Sequence, residues 1–463
     1  MTVMLAGGHA VVQRSIAAAL AVATHRVRVL CASHEVTHFA WPAGVEPWCA
    51  GPVHADVTSV LAGCDTAIIV DPAVGGVSRD ETSDPATLAT LIQAAIASRA
   101  VSQLVLVMNR PRSPQSEQAS SRLVAELTRE FDQRWVLLRT APVYGTGDDP
   151  VSRFLFMMRS LPVVPVAGDE YAMQPVWHED LARAVTVCVT HDFPPTERVL
   201  DLHGEAVTAS RLYEDMSVLI DRRPVRVPVP AAWPFALTPP GTAERMDPFG
   251  RLGIMPTPLA EGLPRLIAQL PEMTPSQGVG SAQIKRFAID VRRSRYTAAQ
   301  LMRVFRWRFR EVMPIAIGVE PAAPEQTLKD GAVITMALPG RGHVAIRVED
   351  VSDEHVVVST LRGHALAGFV RFSTRPLEDG VTFEVMACDC ASNALDWLGL
   401  TLGGARLQEA NWIKLVHNVA AMAVGDPGPI VTETRTLTPG ETVDVDRWIG
   451  HVIRHRHERE LAA

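Results

Sequence analysis

The chain has 463 residues, of which 47% are hydrophobic and 21% are charged, and its formal net charge is −7. A chain of this length exceeds what one hydrophobic core usually holds, so we expect more than one domain, and the composition excludes a disordered protein. The negative charge gives no general attraction to nucleic acid or to anionic lipid.

The cysteines indicate a reduced setting and no metal site. Most of the six lie in apolar runs, as small buried thiols do, and the close pair Cys388 and Cys390 has no second cluster nearby to complete a metal site. The chain begins without the basic residues of a signal peptide, and no apolar run reaches the roughly 18–20 residues that span a bilayer. The sequence therefore predicts a cytoplasmic protein without a membrane span.

Residues 1–145 alternate short apolar runs with helix-like stretches. The runs of strand length are 3–6, 27–31, 65–70, 104–108 and 135–139, and the helical stretches are 13–23, 87–98 and 121–131. Short apolar strands separated by helices are typical of a parallel sheet covered on both faces. Right-handed crossovers then predict a doubly wound, Rossmann-like α/β fold.

The pattern is looser over residues 146–274, which we predict to form a second, substrate-binding subdomain. A strand is expected at 163–166, a helix at 179–190 and another strand at 198–202, and the stretch 224–275 is dense in proline. The polar segment 274–281 is the best candidate for an interdomain linker.

Longer strands follow one another with turn-sized gaps after residue 281. They are expected at 331–336, 343–349, 355–360, 368–373 and 381–386, before one long amphipathic helix at 392–424. This order predicts an antiparallel sheet wrapped on a helix, an α+β domain over 283–424 that encloses an apolar space. Residues 425–463 are polar and are expected to form a tail with a surface strand and a solvated helix.

The first strand runs into a glycine turn that resembles a weakened dinucleotide-binding motif. Such a turn needs glycines for a tight bend, for close approach of the backbone to a pyrophosphate, and for helix–strand packing. Gly7 and Gly8 are present and are followed by His9, but Ala10 and Gln13 occupy the second and third glycine positions. Gln13 places a long side chain where helix and strand should nearly touch, while a phosphate could still meet the helix N-terminus.

Further stretches strengthen this likeness as a set. They are 25–30, 61–69, 137–145 with 147–149, 173–182 and 256–263. In this order they resemble the extended and atypical short-chain dehydrogenase/reductase group, which includes the NAD-dependent epimerases and dehydratases and the NmrA-like proteins. The resemblance implies NAD or NADP at the turn of Gly7, Gly8, His9 and Ala10, with Ser33 and Val143 also in contact. It places Tyr144 and His178 beside the substrate.

The catalytic positions of that group are not kept. Its acid/base tyrosine and the lysine four residues later align with Gln118 and Arg122, and its strand-end serine or threonine aligns with Met108 or Asn109. An amide has no proton to exchange near neutral pH. The residue that selects NAD or NADP aligns with Ala32 or Ser33, so neither choice is encoded.

Several polar residues have a structural interpretation beside the functional one. His178 and Asp180 lie at a predicted helix start, where capping favours aspartate, and we favour a structural role for both. We expect Arg139 to be a packing and ion-pair residue.

The stretches 360–368, 391–400 and 404–408 resemble an uncharacterised bacterial and plant family of helix-grip-like architecture, similar in shape to the polyketide-cyclase and lipid-transfer proteins. The resemblance implies a largely apolar cavity between sheet and helix, and Arg362 and His364 are the polar residues we place near it. Turn and surface hydrogen bonds are the alternative for both. Met386, Trp397 and Trp412 are expected in the core.

Two hypotheses for function remain. The first is a binding or sensing protein, a pseudoenzyme with a degenerate dehydrogenase motif and a second domain that holds a hydrophobic ligand. The alternative is an active NAD(P)-dependent oxidoreductase or epimerase whose proton donor is non-standard, with Tyr144 or His178 in that role. Neither the cofactor type nor the oligomeric state follows from the sequence.

Overall fold

The computed structural model describes residues 1–31, 41–49, 57–76, 85–111, 113–161, 163–167, 172–220, 222–229, 248–314, 318–319, 327–338 and 342–462. The chain forms two compact units, and the main division falls between Leu270 and Pro271. It therefore precedes the predicted linker at 274–281. Residues of that segment instead form a short 3-10 turn, Pro275–Gln277, and the start of a long strand in the second unit.

The first unit is built on a seven-stranded parallel sheet in the order β3-β2-β1-β4-β5-β6-β11. Its strands are β1 (Thr2–Gly7), β2 (Arg26–Cys31), β3 (Val45–Cys49), β4 (Thr66–Val70), β5 (Gln103–Asn109), β6 (Arg134–Thr140) and β11 (Val199–Leu202). The order reverses between β1 and β4, which is the switch point of a doubly wound fold. The predicted Rossmann-like fold is confirmed.

Helices cover this sheet on both faces because its central strands are apolar on both faces. In β1, Val3 and Leu5 belong to one buried cluster, while Met4 and Ala6 belong to another on the opposite face. Alternate residues of a strand point to opposite faces, so a continuous apolar run requires cover on both. The helices that lie between these strands are α1 (Ala10–Val22), α2 (Val57–Leu61), α3 (Pro85–Ala97), α4 (Pro114–Glu130) and α6 (His178–Thr190).

The remainder of the first unit consists of short ribbons and helices. The ribbons pair β7 (Val143–Tyr144) with β10 (Val176–Trp177), β9 (Ala172–Met173) with β12 (Val207–Thr208), and β8 (Val163–Ala167) with β13 (Val225–Val229). The helices are α5 (Pro150–Ser160), α7 (Ala209–Leu219), α8 (Pro248–Arg251) and α9 (Leu259–Ala268).

The second unit contains a ten-stranded sheet whose main strands are antiparallel, as predicted. Its strands are β14 (Glu272–Met273), β15 (Val279–Arg292), β16 (Gly318–Val319), β17 (Val333–Leu338), β18 (Gly342–Val351), β19 (His355–Leu361), β20 (Leu366–Leu377), β21 (Gly380–Ala391), β22 (Asp426–Pro427) and β23 (Val431–Thr436). Its helices are α10 (Ala298–Trp307), α11 (Phe309–Val312), α12 (Ala394–Gly399), α13 (Ala405–Ala423) and α14 (Pro439–Ala462).

Aromatic rings fill the interface between this sheet and helices α10, α11 and α13. The ring centroid of Phe305 lies 5.7 Å from that of Phe309, 5.0 Å from that of Phe372 and 5.2 Å from that of Phe383. All four side chains are buried in one cluster with residues of α13. A sheet packed on a long helix is therefore present, while the predicted helix-grip cavity remains a prediction.

The prediction of one continuous helix over 392–424 is wrong. A wide turn at Leu400–Gly404 separates α12 from α13, and Gly403 there has φ 127°, a value that L side chains rarely adopt. Trp397 on α12 is 48% exposed, so its expected place in the core is also wrong. Trp412 and Met386 pack partly buried against the two clusters of this unit.

Helix α14 packs on the opposite face of the sheet, although residues 425–463 were expected to form a solvated tail. Ile449 and Ile453 are buried, and the ring of Trp448 lies 5.0 Å from that of Phe369 on β20. The polar appearance of the segment arises partly from Arg456, whose charge is buried in an ion-pair cluster with strand residues. Within the described residues, no helix has the length and hydropathy that crossing a membrane requires.

Candidate functional site

The glycine turn lies at the carboxyl end of β1, at the switch point of the first sheet. Gly7 and Gly8 have φ values of +78° and +80°. A Cβ on Gly7 would lie 2.1 Å from the carbonyl oxygen of Val70, and one on Gly8 would lie 2.7 Å from Val70 Cγ1. Both positions therefore require glycine for conformation and for space. Helix α1 begins two residues later at Ala10, so its first amides face this edge of the sheet.

A second loop, residues 145–149, is held at the same edge by the buried carboxylate of Asp149. This carboxylate accepts hydrogen bonds from the amides of Gly145, Thr146 and Ser152 at 3.2, 3.1 and 2.8 Å, and from the Ser152 hydroxyl at 2.5 Å. The Thr146 hydroxyl donates to the carbonyl oxygen of Gly75, in the loop that follows β4. The loops after β4 and β7 are thereby tied together.

His9 joins these loops to the start of α1. Its backbone N–H donates to the carbonyl oxygen of Val74 at 3.3 Å, and its Nδ1 accepts from the amide of Val11 at 3.3 Å. Its Nε2 lies 3.5 Å from Asp148 Oδ2. A Cβ on Gly76 would lie 3.0 Å from Asp148 Cβ, so the two loops touch at this point.

Gln13 does not obstruct the turn as its length suggested. Its side chain is buried, and Nε2 donates to the carbonyl oxygens of Leu30 at 2.9 Å and Gly7 at 3.4 Å. The amide therefore bridges the ends of β1 and β2, where the missing glycine would have allowed closer helix–strand packing.

The positions that align with catalytic residues lie on an exposed helix surface and at a strand end. Gln118 and Arg122 are exposed on α4, and Asn109 ends β5 with its backbone paired to Thr140 of β6. Ser33 and Ala32, the predicted cofactor-selecting positions, lie outside the described residues. Among the described residues, no group of three or more His, Cys, Asp or Glu side chains is placed to hold a metal ion.

Arg139 is an ion-pair residue, which confirms the structural expectation. Its Nε and Nη2 each lie 2.7 Å from a carboxylate oxygen of Asp201 on β11, and its Nη1 lies 3.0 Å from Glu117 on α4. The hydrogen bond to Asp201 raises the pKa of Arg139 above its ordinary value. This pairing joins β6, β11 and α4 next to the exposed Gln118.

Tyr144 is buried in the interior of the first unit. Its ring lies 5.1 Å from that of Trp177, and its hydroxyl has no hydrogen-bond partner among the described residues. A Cβ on Gly262 would lie 1.9 Å from this hydroxyl, so α9 closes over the ring. Burial raises the pKa of Tyr144, which works against proton transfer near neutral pH. The neighbouring Val143 is buried as well.

His178 is the first residue of α6 and is also buried. Its Nδ1 lies 2.7 Å from Ser15 Oγ on α1, and its Nε2 lies 3.1 Å from Gln269 Oε1, just after α9. Burial lowers the pKa of His178, which favours the neutral ring. Asp180 accepts hydrogen bonds from the amide and hydroxyl of Thr257 at 2.6 and 2.7 Å. Both residues thus connect elements of the fold.

His364 and Arg362 lie in the turn between β19 and β20 of the second unit. His364 Nδ1 accepts from the amide of Leu366 at 2.9 Å, and the amide of Arg362 donates to the carbonyl oxygen of Pro271 at 2.9 Å. The His364 contact is a turn hydrogen bond, as in the alternative to a ligand site, whereas the Arg362 contact is made by its backbone.

Sequence reasoning overlooked the polar contacts that organise this edge. Asp148 and Asp149 were noticed only as part of a resemblance, and Gly75 with Gly76 was not noticed. A glycine pair soon after the buried strand β4 is a signal that could have marked the second loop. The contact between His9 and Asp148 spans 139 positions and had no local signal.

Comparisons with known proteins find similarity among solved structures. No family model and no curated protein sequence matches the chain. Among solved structures, MoeE5 in complex with UDP-glucose and NAD is 20% identical, with a TM-score of 0.45 over 57% of this chain and 96% of that one. UDP-glucose 4-epimerase of Thermotoga maritima with UDP-glucose is 17% identical, with a TM-score of 0.44 over 57% of this chain and 96% of that one. TunA, an NAD-dependent NDP-hexosamine 5,6-dehydratase, is 16% identical, with a TM-score of 0.43 over 57% and 96%.

Proposed function

We propose that the first unit binds NAD or NADP at the carboxyl edge of its sheet and acts as a binding or sensing domain, without the proton-transfer pair of a dehydrogenase. The observation that carries the proposal is the Gly7–Gly8 turn packed on Val70 at the switch point. Ligands of doubly wound sheets bind at this edge, and helix N-termini favour phosphate. Because the solved structures have low identity and TM-scores below 0.5, the proposal rests on the residues of this chain.

The backbone of the turn fits a diphosphate. Gly7 and Gly8 keep side chains away from the edge, Ala10 adds a single methyl group, and the Gln13 side chain is bonded to carbonyl oxygens of β1 and β2. The start of α1 supplies amide donors and the positive end of the helix dipole. A nicotinamide dinucleotide supplies hydride-transfer chemistry when bound.

The residues at the positions that align with the catalytic pair favour binding over turnover. Gln118 and Arg122 are exposed side chains without an acid/base group that titrates near neutral pH. The substitutes considered from sequence, Tyr144 and His178, are buried in packing contacts. Burial raises the pKa of Tyr144 and lowers that of His178, so both side chains favour their neutral forms. The alternative of an active oxidoreductase or epimerase therefore has less support.

The proposal assigns no ligand to the second unit. The hydrophobic ligand expected from sequence would lie between the sheet and α13, and the rings of Phe305, Phe372 and Phe383 occupy that interface. His364, expected near the cavity, accepts a turn hydrogen bond from the amide of Leu366.

Titration of the full chain with NADH and with NADPH, followed by nucleotide fluorescence, tests the proposal. We expect saturable binding that Gly8→Ala weakens at least about tenfold, because its Cβ would press on Val70 at the phosphate-binding turn. Gly63→Ala is the matched control, since Gly63 has a similar φ of +74° but no atom within 4 Å of the added Cβ. Absence of binding by the wild-type chain at millimolar nucleotide would overturn the proposal.

A further inference from the structure

We propose that His9 and Asp148 form a gate over the phosphate-binding turn, so that a dinucleotide binds only in competition with the Asp148 carboxylate. This inference rests on the proposed function and concerns the regulation of the same site. Its basis is the 3.5 Å contact between His9 Nε2 and Asp148 Oδ2, directly beside the start of α1.

The chain itself already uses two of the donors that a diphosphate would seek at this turn. The backbone N–H of His9 donates to Val74, and the amide of Val11 donates to His9 Nδ1. A helix N-terminus leaves its first amides without intrahelical partners, and an external anion normally satisfies them in a phosphate site. Here the His9 ring satisfies one of them, so an incoming phosphate must displace that ring.

The Asp148 carboxylate adds an electrostatic contribution to this competition. Because Nδ1 of His9 accepts a hydrogen bond, the ring proton of the neutral imidazole lies on Nε2, which faces the carboxylate. A carboxylate near a helix N-terminus is stabilised by the helix dipole, as a phosphate would be. Two anions cannot share one such position without mutual repulsion, so the carboxylate and the diphosphate exclude each other.

The two side chains can move while the loops stay in place. The His9 and Asp148 side chains are 15% and 29% exposed, so both reach solvent. The adjacent Asp149 is fully buried and holds residues 145–152 through amide hydrogen bonds. Rotation of the His9 side chain away from Asp148 therefore releases the Val11 amide, and the loop anchor at Asp149 is left intact.

The test compares Asp148→Asn with wild type, with NADH as the probe in isothermal titration of the full chain. The substitution keeps the shape of the side chain and removes its charge. We expect it to tighten NADH binding by about three- to tenfold at low salt, and we expect high salt to reduce the difference. Asp192→Asn is the matched control, because Asp192 is an exposed carboxylate just beyond the far end of α6, about 20 Å of helix away from His178.

The outcomes separate the gate from the proposed function. Tighter binding by Asp148→Asn than by both wild type and Asp192→Asn supports the gate. Equal binding by all three proteins overturns the gate and leaves the proposed function in place. Failure of every protein to bind NADH overturns both. If Asp148→Asn does not fold, as judged by circular dichroism, Asp148→Ser replaces it under the same expectations.

Discussion

The Arg456 guanidinium and the Glu349 carboxylate form an ion pair in the interior of the second unit, with Nε 2.7 Å from Oε2. Their side chains are only 3% and 0% exposed. Arg456 lies on α14 and Glu349 on β18, so the pair joins the last helix to the sheet. Glu272 and Arg347 complete a buried cluster of two acids and two bases, and the hydroxyl of Ser359 donates to Glu349. Charges buried in this way make the docking of α14 sensitive to pH and to substitution.

We expect Glu349 to make the chain less stable as pH rises toward neutral. Burial of the carboxyl, followed by the negative charge of Glu272, raises the pKa of Glu349 to about 7, above its usual 4.5. The folded state therefore holds a proton that the unfolded chain has already released. Its stabilising contribution is complete below about pH 4.5 and is lost as pH rises through 7.

Urea unfolding at pH 5.5 and pH 7.5 checks this expectation. Glu349→Gln should reduce the drop in unfolding free energy between these values by about 1–3 kcal/mol. Glu354→Gln, at an exposed position in the turn that precedes β19, serves as the control and should behave as wild type does. An unchanged pH dependence in Glu349→Gln would contradict the assignment.

The partner acid responds to pH in the opposite direction. Burial alone would raise the pKa of Glu272, but the charges of Arg347 and Arg456 outweigh it and lower that pKa to about 2. Its contribution to stability is therefore present above pH 4.5 and is lost as pH falls toward 2. Glu272→Gln should make the unfolding midpoint less sensitive to acid below pH 4.5, whereas a steeper loss in acid would refute this sign.

Removal of Arg456 should destabilise the second unit strongly. Arg456→Ala leaves two buried carboxylates without their shared partner, and we expect a loss of about 3–5 kcal/mol in unfolding free energy. Arg459→Ala is the control: Arg459 is on the same helix, pairs with Asp330 at 2.7 Å and is 44% exposed, so its loss should cost only about 1 kcal/mol. Equal losses in the two variants would show that burial of Arg456 is not what makes it important.

Tyr144→Phe should leave the chain as stable as wild type or slightly more stable. The hydroxyl is buried and has no hydrogen-bond partner in the described part of the chain, so its removal relieves a desolvation cost. Tyr213→Phe is the matched control, because the hydroxyl of Tyr213 donates to the carbonyl oxygen of Pro224 at 2.5 Å. The control should lose about 1–2 kcal/mol in thermal or urea unfolding. A large loss in Tyr144→Phe would indicate a partner that the hydroxyl meets in solution.

Asp149→Ala should destabilise the first unit by about 2–4 kcal/mol, because several amides and a hydroxyl lose a charged acceptor in a buried loop. Asp215→Ala offers a comparison, since the Asp215 side chain on α7 is 42% exposed and lies 3.5 Å from Arg211. Urea unfolding of both variants measures the difference. A small effect in Asp149→Ala would mean that the loop does not depend on this carboxylate.

The fold of the first unit was predictable from sequence because residues close together in the chain indicate each strand and helix. The strands of the parallel sheet are short, continuously apolar runs separated by helices, and β4 with its five buried residues shows this clearly. The turn at Gly7 and Gly8 was identified for the same reason, since two adjacent glycines directly after an apolar strand indicate a turn.

The parts that were missed depend on contacts between distant residues. Residues 425–463 were interpreted as a polar tail because the sequence around Arg456 does not reveal its buried partners. These partners, Glu272 and Glu349, precede it by more than a hundred positions. Gln13 appeared to be an obstacle because its acceptors, Gly7 and Leu30, are set by strand pairing. Arg139 was predicted correctly because ion pairing is the commonest role of a strand-end arginine.

The bridge made by Gln13 has a consequence for engineering of the turn. Replacing Gln13 with glycine would leave the carbonyl oxygens of Leu30 and Gly7 without the donor they now share, inside a packed corner. A glycine at this position therefore cannot be introduced by a single substitution without loss of stability.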